Sequence, residues 1–128
     1  MKKILILLAA AFTYTAASAQ TTWTVDKAHS NVKFTVTHLL VSDVDGTFKN
    51  YDATIVAAKP DFSDAKFQIT IQTASVSTDN DNRDKHISSP DFFDVAAFPT
   101  IAFTSTGITK TSDKHYKLTG TINQTKLV

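Results

Sequence analysis

Three features of the sequence predict an all-β domain, a sandwich or an antiparallel barrel. These are apolar/polar alternation with a period of two, a composition poor in helix formers, and short segments set off by turn residues. The cleanest alternation is 65–72, where Ala65, Phe67, Ile69 and Ile71 oppose Lys66, Gln68, Thr70 and Gln72. In 31–38, Val32, Phe34 and Val36 likewise oppose Asn31, Lys33, Thr35 and Thr37. Each reads as a strand with one buried and one wet face. All 12 acidic residues are Asp. The chain therefore lacks Glu, a good helix former, while its Thr, Val, Ile and Phe suit strands.

The shorter strands expected are 23–25, 46–49, 53–57, 75–78, 100–106 and 115–122. The last carries Tyr116, Leu118 and Ile122 on one face. Asp45-Gly46 fits either a tight hairpin turn or a strand position where the backbone bends or another chain comes close. One stretch breaks the β rhythm: 79–86 is wholly polar. Asp79 or Asn80 can cap a short helix there. Ser89, with Pro90 at the first helical position and Asp91 in the first turn, would start another before Pro99 ends the excursion.

Residues 1–19 read as a secretory signal peptide. Lys2 and Lys3 precede an apolar run, Ile4 to Phe12, and Ala17-Ser18-Ala19 supplies small residues for cleavage, so the mature chain is expected to begin at Gln20. The run is too short to span about 30 Å of hydrocarbon, so no stable membrane insertion is expected after cleavage. Without a cysteine there is neither a lipid-attachment site nor a disulfide. The product is expected to be periplasmic or secreted. About 109 of the 128 residues remain, enough for one domain. Losing two lysines from 13 basic residues, against 12 acidic ones, gives a net charge of about −1. That balance argues against a nucleic-acid surface.

Chemistry-bearing clusters are sparse. His29, His38, His86 and His115 lack metal-ligand spacing, and no metal is expected. An EF-hand starting at Asp79 would need Gly and Glu where Asp84 and Pro90 stand. There is no Gly-x-Ser-x-Gly and no cysteine nucleophile. No catalytic residue is assigned. Arg83, the only arginine, suits an anionic head group or an ion pair with a neighbouring Asp.

The ordered motifs resemble YceI-like proteins. Trp23-x-x-Asp26-x-x-His29-Ser30, Val32-x-Phe34-x-Val36-x-His38 and Gly46-x-Phe48 resemble the family's opening. Ser75-Val76-x-Thr78, Arg83-Asp84-x-His86, Ser89-Pro90-x-Phe92-Phe93-Asp94, Phe98-Pro99-Thr100-Ile101-x-Phe103 and Ser105-Thr106 follow in the family's order and spacing. The resemblance implies a periplasmic, lipocalin-like antiparallel β-barrel whose apolar cavity binds an isoprenoid lipid, a quinone or a polyprenyl phosphate. It implies no other cofactor. The departure is C-terminal. Leu118-Thr119-Gly120 leads into a compressed Thr121–Lys126 and the chain stops at Val128. The C-terminal strands are therefore expected to be missing, leaving unclosed edges through which chains can oligomerise.

Burying a prenyl chain is favourable by about 25 cal/mol per Å2, so an apolar lining suffices and no residue needs to be catalytic. The expected lining is Phe34, Val36, Phe67, Ile69, Ile71, Ile101, Phe103, Tyr116 and Leu118. Phe92 and Phe93 would cover one end, with His38, Arg83 and His86 as head-group candidates. Alternation alone leaves open whether these side chains fill a core or line a cavity; the resemblance favours the cavity. The alternatives are an enzyme acting on such a lipid through His38 or His86, and an outer-membrane barrel. The barrel needs strands of about 9–11 residues, longer than most here.

Overall fold

The computed structural model describes residues 19–38 and 42–123, all but the side chain of His38. The expected signal peptide, 1–19, lies outside this range except for Ala19, as do the last residues, 124–128. The elements in chain order are β1 (Thr21–Thr24), β2 (Val32–His38), β3 (Ser42–Phe48), β4 (Tyr51–Ala57), β5 (Lys66–Gln72), β6 (Val76–Ser77), α1 (Asp81–Ile87), β7 (Thr100–Ser112) and β8 (His115–Asn123). All pairings are antiparallel. They build a five-stranded sheet, β1-β4-β5-β7-β8, and a three-stranded sheet, β2-β3-β6. Among the described residues the two ladders are separate, so the barrel is not closed.

Register puts the apolar residues of neighbouring strands on one face, because directly opposed residues share a side. In the large sheet Tyr51, Ile71 and Ile101 form one row, and Ala53, Ile69, Phe103 and Ile122 form the next. Trp23, Ile55 and Phe67 form a third. In the small sheet Val32, Phe48 and Val76 align, followed by Phe34 with Gly46 and Val36 with Val44. The opposite face of the small sheet is polar. There the hydroxyls of Thr35 and Thr37 donate to Asp45 (2.7 Å) and Asp43 (2.8 Å) across the strands.

The two apolar faces meet at one end of the molecule. Phe48, Tyr51, Ile71 and Val76 are buried together, with Val25, Val32, Phe34, Ile69, Ile87, Phe93 and Ile101 packed against them. Here the chain crosses between sheets twice, at Lys49-Asn50 and at Thr73–Ser75. Ser75 pins both crossings: its hydroxyl donates to the Gln72 carbonyl (2.7 Å) and accepts from the Asn50 amide (3.0 Å).

Three expectations need correction. The Ser89-Pro90 segment does not form a second helix. It runs as successive turns, with the Phe92 amide on the Ser89 carbonyl and the Phe93 amide reaching back to the Ile87 carbonyl. β3 starts at Ser42, ahead of the expected strand 46–49, so Asp45-Gly46 lies inside it, the second of the two readings open for that pair. β7 continues to Ser112, well past Thr106, because β8 pairs with it around bulges after Ser105 and Lys110.

Candidate functional site

The facing apolar surfaces form the candidate site. Tyr51 and Ile71 are buried in the cluster shared by the two sheets, with Ile101 packed against it, and Ala57 and Ala65 are buried at the opposite end of β4 and the start of β5. Large apolar side chains stand exposed elsewhere on these faces: Trp23 is 40% exposed, Val36 54% and Leu118 40%, and Ile122, on β8 at the edge of the second row, 57%. A packed core would bury these groups, whereas a partly covered apolar trough leaves them for something else to cover.

Two glycines shape the trough, one in each sheet. None of the glycines has a positive φ, so conformational freedom is not the reason for them. A Cβ on Gly46 would stand 2.1 Å from Cζ of Phe34, and one on Gly120 would stand 2.5 Å from Cζ of Phe103 and 2.4 Å from the Thr104 carbonyl. Both phenylalanine rings thus lie across a glycine on the neighbouring strand. An aromatic ring laid over a strand glycine keeps its apolar contact.

Each sequence-predicted lining residue has a definite place. Ile69, Ile71 and Ile101 lie in the deeper rows, and Phe67 stands 6.1 Å from Phe103 between ring centroids. Leu118 pairs with Ile108. Tyr116 donates its hydroxyl to the Asp61 carbonyl, fixing β8 to the β4–β5 connection. Phe62 of that connection has φ 56°, a costly backbone for a bulky residue, and packs on Trp23 at 5.0 Å. The same loop therefore touches the large sheet at both edges.

The Phe92-Phe93 pair is divided. Phe93 turns inward, 5.6 Å from Phe48 and 6.4 Å from Phe34, and closes the deep end. Phe92 turns outward, 41% exposed, with the His86 ring edge-on at 4.9 Å. Arg83 is committed locally: Nε donates to the Thr78 hydroxyl (2.6 Å) and a terminal nitrogen to the Thr78 carbonyl (2.8 Å). The same hydroxyl donates to Asp84 (2.6 Å), whose carboxylate also accepts the Thr78 amide (2.8 Å). These bonds, led by the Thr78 hydroxyl and opposed by burial, hold the Asp84 carboxyl below the usual carboxylate range. Asn80 caps α1 by accepting from the Arg83 amide (3.0 Å). The conspicuous Thr78, Arg83 and Asp84 are thus a clamp that seats the helix. A shallow cleft of about 470 Å3 lies beside it, lined by Ala74, Val76, Asp81, Asp84, Lys85, Ser88 and Ser89.

His29 belongs to a turn rather than to the trough, its Nδ1 lying 2.8 Å from Asp26 Oδ2. Among the described residues no three His, Cys, Asp or Glu side chains converge as a metal site would require. Sequence reasoning missed two groups in the deep end. The hydroxyls of Tyr51 and Thr73 are buried without a hydrogen-bond partner among the described residues. The only advance signal was Tyr51 standing in phase with Ala53 and Ile55.

The YceI-like domain matches residues 23–125. A UPF0312 protein of Pseudomonas savastanoi pv. phaseolicola is 43% identical over 102 residues, covering 77% of this chain and 52% of that protein. Protein YceI of Salmonella newport is 38% identical over 118 residues, covering 89% and 62% respectively. The chain thus spans little more than half the length of these relatives. Among solved structures, Burkholderia cenocepacia BcnA superposes with a TM-score of 0.70 at 26% identity, over 77% of this chain and 61% of that one. The Campylobacter jejuni YceI protein superposes at 0.59 and 39% identity, over 79% and 59%. Fold, ordered motifs and relatives agree: the chain belongs to the YceI-like domain family.

Proposed function

We propose that this chain binds and carries an isoprenoid lipid of the quinone or polyprenyl phosphate type, without catalysing a reaction on it, in the periplasm or outside the cell after cleavage following Ala19. The observation that carries this reading is the trough itself. Two apolar sheet faces share one buried cluster and leave large apolar side chains exposed beyond it, with the Phe34 and Phe103 rings laid over Gly46 and Gly120. A prenyl tail needs only such a lining, and each 100 Å2 of apolar surface it buries contributes about 2.5 kcal/mol. The sheet edges at β1, β2, β6 and β8 offer unpaired backbone groups, through which chains can associate.

Trp23 is the sole tryptophan and lies on the inner face of the large sheet. Titrating the purified chain with a prenylated benzoquinone is expected to quench its fluorescence saturably, while the same quinone without a tail does not. Equal, non-saturating quenching by both would overturn the carrier function.

A further inference from the structure

We infer that the deep end of the trough is a subsite for an uncharged hydrogen-bond acceptor, with the Tyr51 and Thr73 hydroxyls as its donors; this rests on the carrier function proposed above. Tyr51 is 7% exposed and Thr73 fully buried, yet neither hydroxyl has a partner among the described residues. Buried hydroxyls are nearly always paired, since an orphan costs roughly a factor of ten in stability. Thr78, the other buried polar residue, obeys that rule through Asp84 and Arg83. The two exceptions flank the same position of β5. Tyr51 pairs with Ile71, and Thr73 follows Ile71 by two residues, its amide held by the Pro99 carbonyl at 2.9 Å.

A phenol and an alcohol both have a proton to donate, so what they lack is an acceptor. The hydrophobic side chains packed with Tyr51 are Phe48, Ile71, Val76 and, less deeply, Phe34, Phe93 and Ile101, while Arg83 at this end is already engaged by Thr78. A phosphate buried against this apolar lining would lose its water at a cost that a neutral carbonyl oxygen does not incur. The geometry therefore favours a lipid that enters polar end first and presents a neutral oxygen.

The test compares three probes sharing one prenyl tail: a benzoquinone, a monophosphate and the bare hydrocarbon. Each is titrated into the purified chain and into Tyr51→Phe and Thr73→Val. The wild type is expected to prefer the quinone, and each variant to lose about tenfold in quinone affinity with hydrocarbon affinity unchanged. Thermal unfolding without ligand serves as the structural readout and is expected not to fall in either variant. Equal effects on all three probes, or unchanged quinone affinity because a trapped water satisfies the hydroxyls, overturn the subsite. Preference for the phosphate overturns the neutral acceptor. Hydrocarbon binding without head-group preference sinks the subsite but leaves the carrier function standing, whereas no binding of any probe sinks both.

Discussion

Replacing Gly46 by alanine tests the shape of the trough at its narrowest constraint. The new Cβ would stand 2.1, 2.5 and 2.8 Å from three atoms of the Phe34 ring, the nearest about 1.3 Å inside ordinary contact at 3.4 Å. Rotation of the methyl cannot relieve this, so the ring has to move. Phe34 rests on Phe48 at 5.5 Å and on Phe93 at 6.4 Å, and its displacement disturbs the buried cluster at the deep end. Overpacking of this kind costs about 1–3 kcal/mol. For a domain of this size each kcal/mol lowers Tm by roughly 4–8 °C, a shift well within reach of thermal unfolding followed by circular dichroism. A ring displaced toward the facing sheet occupies lipid space, so prenyl-quinone affinity is expected to fall too. Gly46→Ala combined with Phe34→Leu removes the clashing ring atoms and is expected to recover part of the loss, a coupling that a double-mutant cycle measures. Additive effects, or a Gly46→Ala chain as stable as the wild type, would refute the placement of Phe34 over Gly46.

Ile69→Asp puts a carboxylate between Ala53 and Phe103 on the inner face, at a cost of several kcal/mol unless water reaches it. A trough predicts lost lipid binding with the far-ultraviolet spectrum retained; wholesale unfolding would instead mark a packed core at this depth. The Asp84 carboxyl is held below its unfolded value of about 3.9, so its stabilisation is present above that pH and disappears as pH falls through the lower folded value. Asp84→Asn is therefore expected to be less stable than wild type at neutral pH, with the difference shrinking below about pH 4 in urea titrations. Intact mass of the exported chain is expected to lack residues 1–19, and a product retaining Met1 would show the Ala17-Ser18-Ala19 reading wrong.

Most of the strand pattern was legible because burial on one face leaves a period of two in the sequence. β2 and β5 carry it almost without interruption. β3 was only half visible. Its outward residues Asp43 and Asp45 look like turn formers until Thr37 and Thr35 on β2 bind them. The end of β7 was hidden for a different reason: bulges break the parity of the pattern, and residues 107–112 pair only with β8. The Pro90 segment carried correct helix-start chemistry, yet the chain spends it on turns that drive Phe93 into the cluster and leave Phe92 outside. Arg83 was ambiguous in sequence and is engaged by Thr78 in the structure. Tyr51 and Thr73 were invisible as a pair, because only the crossing between sheets buries both hydroxyls at the same end.

The most direct test of the carrier function is mass spectrometry of an organic extract from the chain purified gently from its own host. A trough built for a prenyl tail predicts one isoprenoid species co-purifying in near-stoichiometric amount and lost from Ile69→Asp. An extract with no isoprenoid, together with failure to take up any that is added, would contradict it.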